Sequence, residues 1–235
     1  MKIISLKICP FVQRVTALLA AKAIAYDIEY INRQDMPPWF LEISPHGQAP
    51  VLITDKGVAL FESDAIVEYL EEAYPALQPT LSLEDKAVNR AWSYLASRNY
   101  LVQCSAQRSP NAATLEQRRQ RLSDAFDKIE ARLGDTAFFS GESLGMVDIA
   151  WLPLLHRADI IDRKAGFDFV GNRPKLKQWQ RRLLDTGIAE QSVAPDFERI
   201  FSDFYLSNET FLGSGRHVER RPVGIASPAK ACCQR

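Results

Sequence analysis

Apolar positions divide the chain into two regimes. Met1, Ile3, Ile4 and Leu6 form a short strand-like run, and Phe11, Val15, Leu18, Leu19 and Lys22 then follow the i, i+4, i+7, i+8 spacing of a helix with one covered face. The spacing predicts a helix from about Pro10 to Ala23. Tyr26, Ile28, Tyr30 and Ile31 alternate with Asp27 and Glu29, the period of a half-buried strand, so the first thirty or so residues read as a parallel βαβ unit. Pro37-Pro38 lead into Trp39-Phe40-Leu41, a short helical or irregular segment that ends in the loop Ser44-Pro45-His46-Gly47. A third strand begins at Ala49-Pro50-Val51-Leu52-Ile53, where a proline at the first position is tolerated. Lys56-Gly57 turns it into an antiparallel partner, Val58 to Phe61. Glu62-Ser63-Asp64 opens the next helix, with Ser63 the expected N-cap and Ala65, Ile66, Tyr69, Leu70 and Ala73 its expected apolar face.

Beyond Tyr74-Pro75-Ala76-Leu77-Gln78-Pro79-Thr80 the strand patterns stop. The reading is an α/β domain over residues 1–74, a linker over 75–82 and an all-helical domain over 83–206. Its helices are expected at Leu83 to about Gln107, Leu115 to Leu133, Met146 to about Ile161, Pro174 to Leu184 and Pro195 to about Leu206. Residues 207–235, rich in Gly, Ser, Pro and Arg, are expected to be a poorly packed tail, with Cys232 and Cys233 incidental surface thiols.

Composition narrows the chemistry. Lys plus Arg and Asp plus Glu balance at 29 each, so no global field recruits nucleic acid or an anionic membrane, and small-molecule chemistry is the default. The four cysteines and three histidines (His46, His156 and His217) show no metal-ligand spacing, and no metal is expected. The early residues show no small-residue cleavage site, and no apolar stretch of about 18 residues occurs; a cytoplasmic, reducing location follows as an expectation.

The chemistry centres on Cys9-Pro10-Phe11-Val12-Gln13-Arg14. Pro10 is best tolerated at the first helical position, which makes Cys9 the capping residue, and the helix start then favours thiolate over thiol at its sulfur. Position 12 is Val, so no second cysteine three residues on can close a disulfide, and an external thiol has to complete any redox cycle. Arg14 reads equally as a solvated or a structural charge.

Three segments in this order, Cys9 to Arg14, Gln48-Ala49-Pro50-Val51-Leu52 and Glu62-Ser63-Asp64-Ala65-Ile66-Val67-Glu68-Tyr69-Leu70, resemble the glutathione S-transferases over roughly Met1 to Leu206. The resemblance is to the cysteine-type, omega-like classes. It implies an α/β thioredoxin-like N-terminal domain (βαβ-ββα) followed by an all-α C-terminal domain, with Cys9 as the catalytic thiol and glutathione as co-substrate. It also implies that Phe11 lines the pocket. A cis bond before Pro50 would expose the Ala49 backbone to pair with the cysteinyl part of glutathione. Because helix starts hold anions, Ser63 would take the γ-glutamyl carboxylate, and Glu62 is placed to attract the ammonium. The implied reactions are thiol transfer, deglutathionylation or dehydroascorbate reduction on a small electrophile or disulfide, in a homodimer. Two other readings stand beside this one: a non-enzymatic adaptor on the same fold, and a specialised glutathione-dependent lyase or dehalogenase.

The chain departs from the omega-like pattern at two points. Where those proteins place a Lys before a Pro-x-Trp segment to reach the glycyl carboxylate, this chain has Met36, with Arg33 or His46 as stand-ins. In Gly141-Glu142-Ser143-Leu144-Gly145-Met146-Val147-Asp148, which resembles the entry of the family's sixth helix, Gly145 holds the cap position and Asp148 reads as a folding residue. An electrophile pocket is implied between the domains. Trp92, Tyr94, Tyr100, Trp151 and His156 face it, although aromatics at helical spacing read first as core.

Overall fold

A computed structural model describes residues 1–215. The elements run β1 (Lys2–Ser5), α1 (Pro10–Ala21), β2 (Asp27–Tyr30), α2 (Pro38–Ile43), β3 (Val51–Ile53), β4 (Ala59–Phe61) and α3 (Ser63–Ala73). They continue as α4 (Leu83–Gln107), α5 (Ala112–Arg132), α6 (Met146–Ala165), α7 (Pro174–Asp185), α8 (Ile188–Gln191) and α9 (Phe197–Tyr205).

The four strands form one mixed sheet in the order β2-β1-β3-β4, with β1 parallel to β2 and the other pairs antiparallel. Period-two alternation explains why β1 and β3 are apolar on consecutive positions. Ile3 pairs with Leu52 and both join the large core under α1 and α3, while Ile4 pairs with Val51 and both face Phe40 of α2 on the opposite side. Strand β2 departs from the half-buried expectation. It is one edge of the sheet, and Ile28 and Tyr30 stay 36% and 38% exposed.

The large core runs without a break from the sheet through α1 into the helical half, where Trp151, Phe126, Phe197 and Phe201 are fully buried or nearly so. Helix α1 is the shared wall, and it carries polar links as well as apolar ones. Gln13 Nε2 lies 2.8 Å from His156 Nδ1 of α6 and donates to Ser192 Oγ at 3.3 Å, and Thr16 Oγ1 donates to the Ser192 carbonyl at 2.6 Å. The linker is tied in through Gly145. A Cβ there would come within 2.3 Å of Gln78 Oε1, so the glycine makes room for the Gln78 side chain, which donates to the Ser143 carbonyl at 3.1 Å.

Several sequence expectations are corrected. Helix α3 buries Ile66, Val67 and Leu70, leaving Ala65 and Tyr69 exposed, and its N-cap is Glu62, with Ser63 the first helical residue. Helix α8 was not expected, and α9 starts at Phe197. Within the stretch expected to pack poorly, Thr210, Phe211 and Leu212 are 3%, 7% and 2% exposed, and the Phe211 N–H donates to the Ser109 carbonyl at 2.8 Å. His217, Cys232 and Cys233 lie outside the described residues.

Candidate active site

Pro10 at the first helical position leaves Cys9 as the N-cap of α1 with extended backbone, φ −79° and ψ 123°. Its Sγ makes no capping hydrogen bond. It donates to the Ala49 carbonyl at 3.7 Å, a weak contact across the space between α1 and the start of β3. The expectation of a favoured thiolate is corrected by this environment. Burial pushes the Cys9 thiol up, against the opposing pull of the Val12 and Phe11 N–H groups and the Arg157 guanidinium. The helix start acts in the expected direction, but desolvation outweighs it.

On the far side of Ala49 lies an open cleft lined by Phe11, Ser44, His46, Gln48, Ala49, Pro50, Phe61, Glu62 and Ser63; Cys9 is not in this lining. The structure therefore gathers Phe11, Ala49, Pro50, Glu62 and Ser63 along one wall system, with Cys9 at its edge through Ala49. The Ala49–Pro50 bond is cis. The loop before it is pinned by one side chain: Ser44 Oγ donates to the Gln48 carbonyl and accepts from the Gln48 N–H, both at 2.9 Å. Gly47 allows this turn with φ +58°.

Glu62 sits at φ +66° and ψ 115°, a conformation that costs a non-glycine residue about 1–3 kcal/mol and that the surrounding turn between β4 and α3 imposes. The consequence is positional. The turn exposes the Glu62 side chain at the cleft and sets Ser63, 4% exposed, at the first position of the helix.

Other expected groups fall differently. Of the two stand-ins at the glycyl end, His46 lines the cleft, whereas Arg33 is exposed on a turn outside its lining. Met36 packs against the small cluster of Ile4, Phe40 and Val51. Arg14 is structural: 1% exposed, it pairs with Asp64 of α3, which in turn accepts from Ser97 Oγ at 3.4 Å. Tyr100 and Trp151 are core, donating to the Ala150 and Trp92 carbonyls at 2.5 and 3.1 Å. His156 is buried, stacked on Phe197 with centroids 5.5 Å apart, and burial pulls its pKa down to about 3, so it is neutral. Asp148 accepts from the Gly145 N–H at 2.8 Å, the Phe139 N–H at 3.0 Å and Trp179 Nε1 at 2.7 Å, the folding role expected of it. Among the described residues no cluster of three or more His, Cys, Asp or Glu could hold a metal ion, and no helix is long and apolar enough to cross a membrane.

The buried cation that sequence reasoning missed is Arg157. Arg157 is completely buried beside the segment that carries the thiol, and nothing in the spacing of an i, i+4 apolar pattern marks a basic residue for burial.

A thioredoxin-like sheet with a cis-proline loop and a cysteine at a helix N-cap, docked on an all-helical half, defines a class of two-domain proteins. Profiles of the "Glutathione S-transferase, N-terminal domain" and the "Glutathione S-transferase, C-terminal domain" match residues 3–80 and 112–182. Glutathione S-transferase omega-1 of Sus scrofa is 32% identical over 212 residues, covering 88% of this chain and 86% of that protein. Pyrimidodiazepine synthase of Drosophila melanogaster is 32% identical over 194 residues, covering 78% and 76%. The chain belongs to the glutathione S-transferase family and has omega-class proteins among its relatives. Solved structures agree on the fold. A rice glutathione transferase crystallised with glutathione superposes with a TM-score of 0.75 at 24% identity, covering 86% of this chain and 93% of that one. Glutathione transferase Omega 3C from Trametes versicolor gives 0.72 at 21%, covering 86% and 89%.

Proposed function

We propose that this chain is a glutathione-dependent thiol transferase in which Cys9 is the nucleophile. The observation that carries the reading is the position of Cys9 Sγ, 3.7 Å from the Ala49 carbonyl at the edge of the cleft lined by Phe11, Ala49, Pro50, Glu62 and Ser63. The Cys9 sulfur attacks the glutathionyl sulfur of a mixed disulfide. The old S–S bond breaks, the released thiol keeps the proton that Cys9 gives up, and a Cys9–glutathione disulfide forms. The thiol of a second glutathione attacks that disulfide, leaving oxidised glutathione and returning the proton to Cys9. No second protein thiol is required, in keeping with Val12 three residues after Cys9.

The cleft residues have separate tasks. Ser63, at the start of α3, takes the γ-glutamyl carboxylate where the helix end favours an anion, and the exposed Glu62 carboxylate takes the ammonium beside it. The Ala49 backbone pairs with the cysteinyl part. A ligand on that carbonyl competes with the Cys9 S–H for its acceptor, and removing the acceptor takes away a contact that favours the neutral thiol. Deglutathionylation and dehydroascorbate reduction belong to the same chemistry, and glutathione serves as co-substrate in each. Omega-class relatives at 32% and 33% identity support the reading.

Replacing the sulfur tests it. Cys9→Ser lowers glutathione-dependent reduction of a small mixed disulfide by at least about 100-fold, because a hydroxyl forms no disulfide. An unchanged rate in the folded variant overturns the mechanism.

A further inference from the structure

Arg157 is a cation that the thiol chemistry above does not use. It lies on α6, in the helical half, and is 0% exposed. Its Nη1 donates to Gln13 Oε1 of α1 and to the Pro153 carbonyl at 3.2 Å, and its Nη2 donates to the Ile8 carbonyl at 3.4 Å, one residue before the thiol. The guanidinium stacks 5.3 Å over the Phe197 ring, and its Nε is buried without a hydrogen-bond partner. Among the described residues it forms no ion pair with a carboxylate, unlike Arg14, which answers the same burial with Asp64. Burial pulls the Arg157 guanidinium down from its ordinary range, yet a guanidinium stays protonated in proteins, and a buried cation held only by neutral acceptors favours an anion beside it.

We propose that Arg157 is a positioning residue for Cys9: it fixes the Ile8–Cys9 segment through the Ile8 carbonyl and sets an unneutralised positive charge of the helical domain beside the thiol. The proposal rests on the reading of Cys9 as the reactive thiol. It makes α6 a working part of a site whose other residues all belong to the thioredoxin-like half.

The remaining titratable groups around this point do not supply the same charge. From α4, Tyr100 is pushed well up by burial and Cys104 is a second thiol; from α9, Tyr205 is also pushed up. His156, next to Arg157, is neutral. Lys7, on the loop before Cys9, is paired with Asp196 at 2.8 Å, and Arg14 with Asp64. Arg157 pulls the Cys9 thiol down, while Cys104 raises it.

The test needs no glutathione, so it is independent of whether the cleft binds that ligand. The rate of iodoacetamide alkylation of the Cys9 peptide, followed by mass spectrometry so that Cys104 is read separately, is measured against pH. In Arg157→Met, which keeps the volume and removes the charge, the midpoint rises by about one pH unit, whereas Arg157→Lys stays within a few tenths of the wild type. An unmoved midpoint in Arg157→Met, or equal shifts in both variants, overturns the proposal. Should Arg157→Met fail to fold, the wild type decides. The Arg157 Nε resonance, identified by its loss in Arg157→Lys, shifts at the midpoint of Cys9 ionisation and stops doing so in Cys9→Ser. A resonance insensitive to Cys9 overturns the proposal.

Discussion

Two buried titratable side chains respond to pH in opposite senses. His156 has a folded pKa of about 3 against its ordinary 6.5, so it favours the native state above pH 6.5 and that contribution is lost as pH falls toward 3. Asp148 has been pushed up to about 6 by burial, despite three donors to its carboxylate, so its contribution is present at low pH and is lost as pH rises through 6. Between pH 7 and 5.5 the histidine dominates, because a full unit below 6.5 costs about 1 kcal/mol, and the Asp148 gain over that interval is smaller. Urea denaturation at the two pH values therefore shows the stability of the wild type falling relative to that of His156→Gln by about 1 kcal/mol between pH 7 and 5.5. Parallel pH responses of the two proteins would contradict the assignment of His156 as a buried neutral acceptor for Gln13.

At the scale of elements, most of the fold was legible because its signals are local. Pro10 after Cys9, Pro50 at the entry to β3 and the Lys56-Gly57 turn fix strands and helix starts through backbone rules that hold in any context. What failed depends on neighbours. The apolar side chains of β2 predict a covered face, yet on this edge strand Ile28 and Tyr30 stay exposed, Tyr30 with the Lys7 ammonium over its ring. Helix α4 buries Asn89, Ser93, Ser97, Asn99, Gln103 and Gln107, a polar face that no hydrophobic period reveals. Ser93, Asn99 and Gln103 donate to carbonyls of α4 and α6, whereas Gln103 Oε1 and both polar atoms of the Gln107 side chain are buried without a partner among the described residues. Helix α8 has four residues after Gly187, too few for a 3.6-residue period to register. In the site, the cleft residues were readable from motif order, but the balance at Cys9 was not. The helix start is visible in sequence, while desolvation depends on what closes over the sulfur.

For the whole molecule, α1 joins two halves with different duties: the sheet side presents the cleft, and the helical side supplies the wall behind the thiol. A homodimer, with the first domain of one copy against the second domain of the other, is the assembly expected of this chain. Light scattering then returns twice the 26.5 kDa chain mass, and a monomeric mass contradicts this.

In the proposed reaction Cys9 forms a disulfide with glutathione held in the cleft. Incubation with oxidised glutathione, followed by intact-mass and peptide mass spectrometry, reads that bond directly. A single glutathione adduct on the Cys9 peptide, with Cys104 unmodified, is the expected result. No adduct, or equal modification of Cys9 and Cys104, would contradict it.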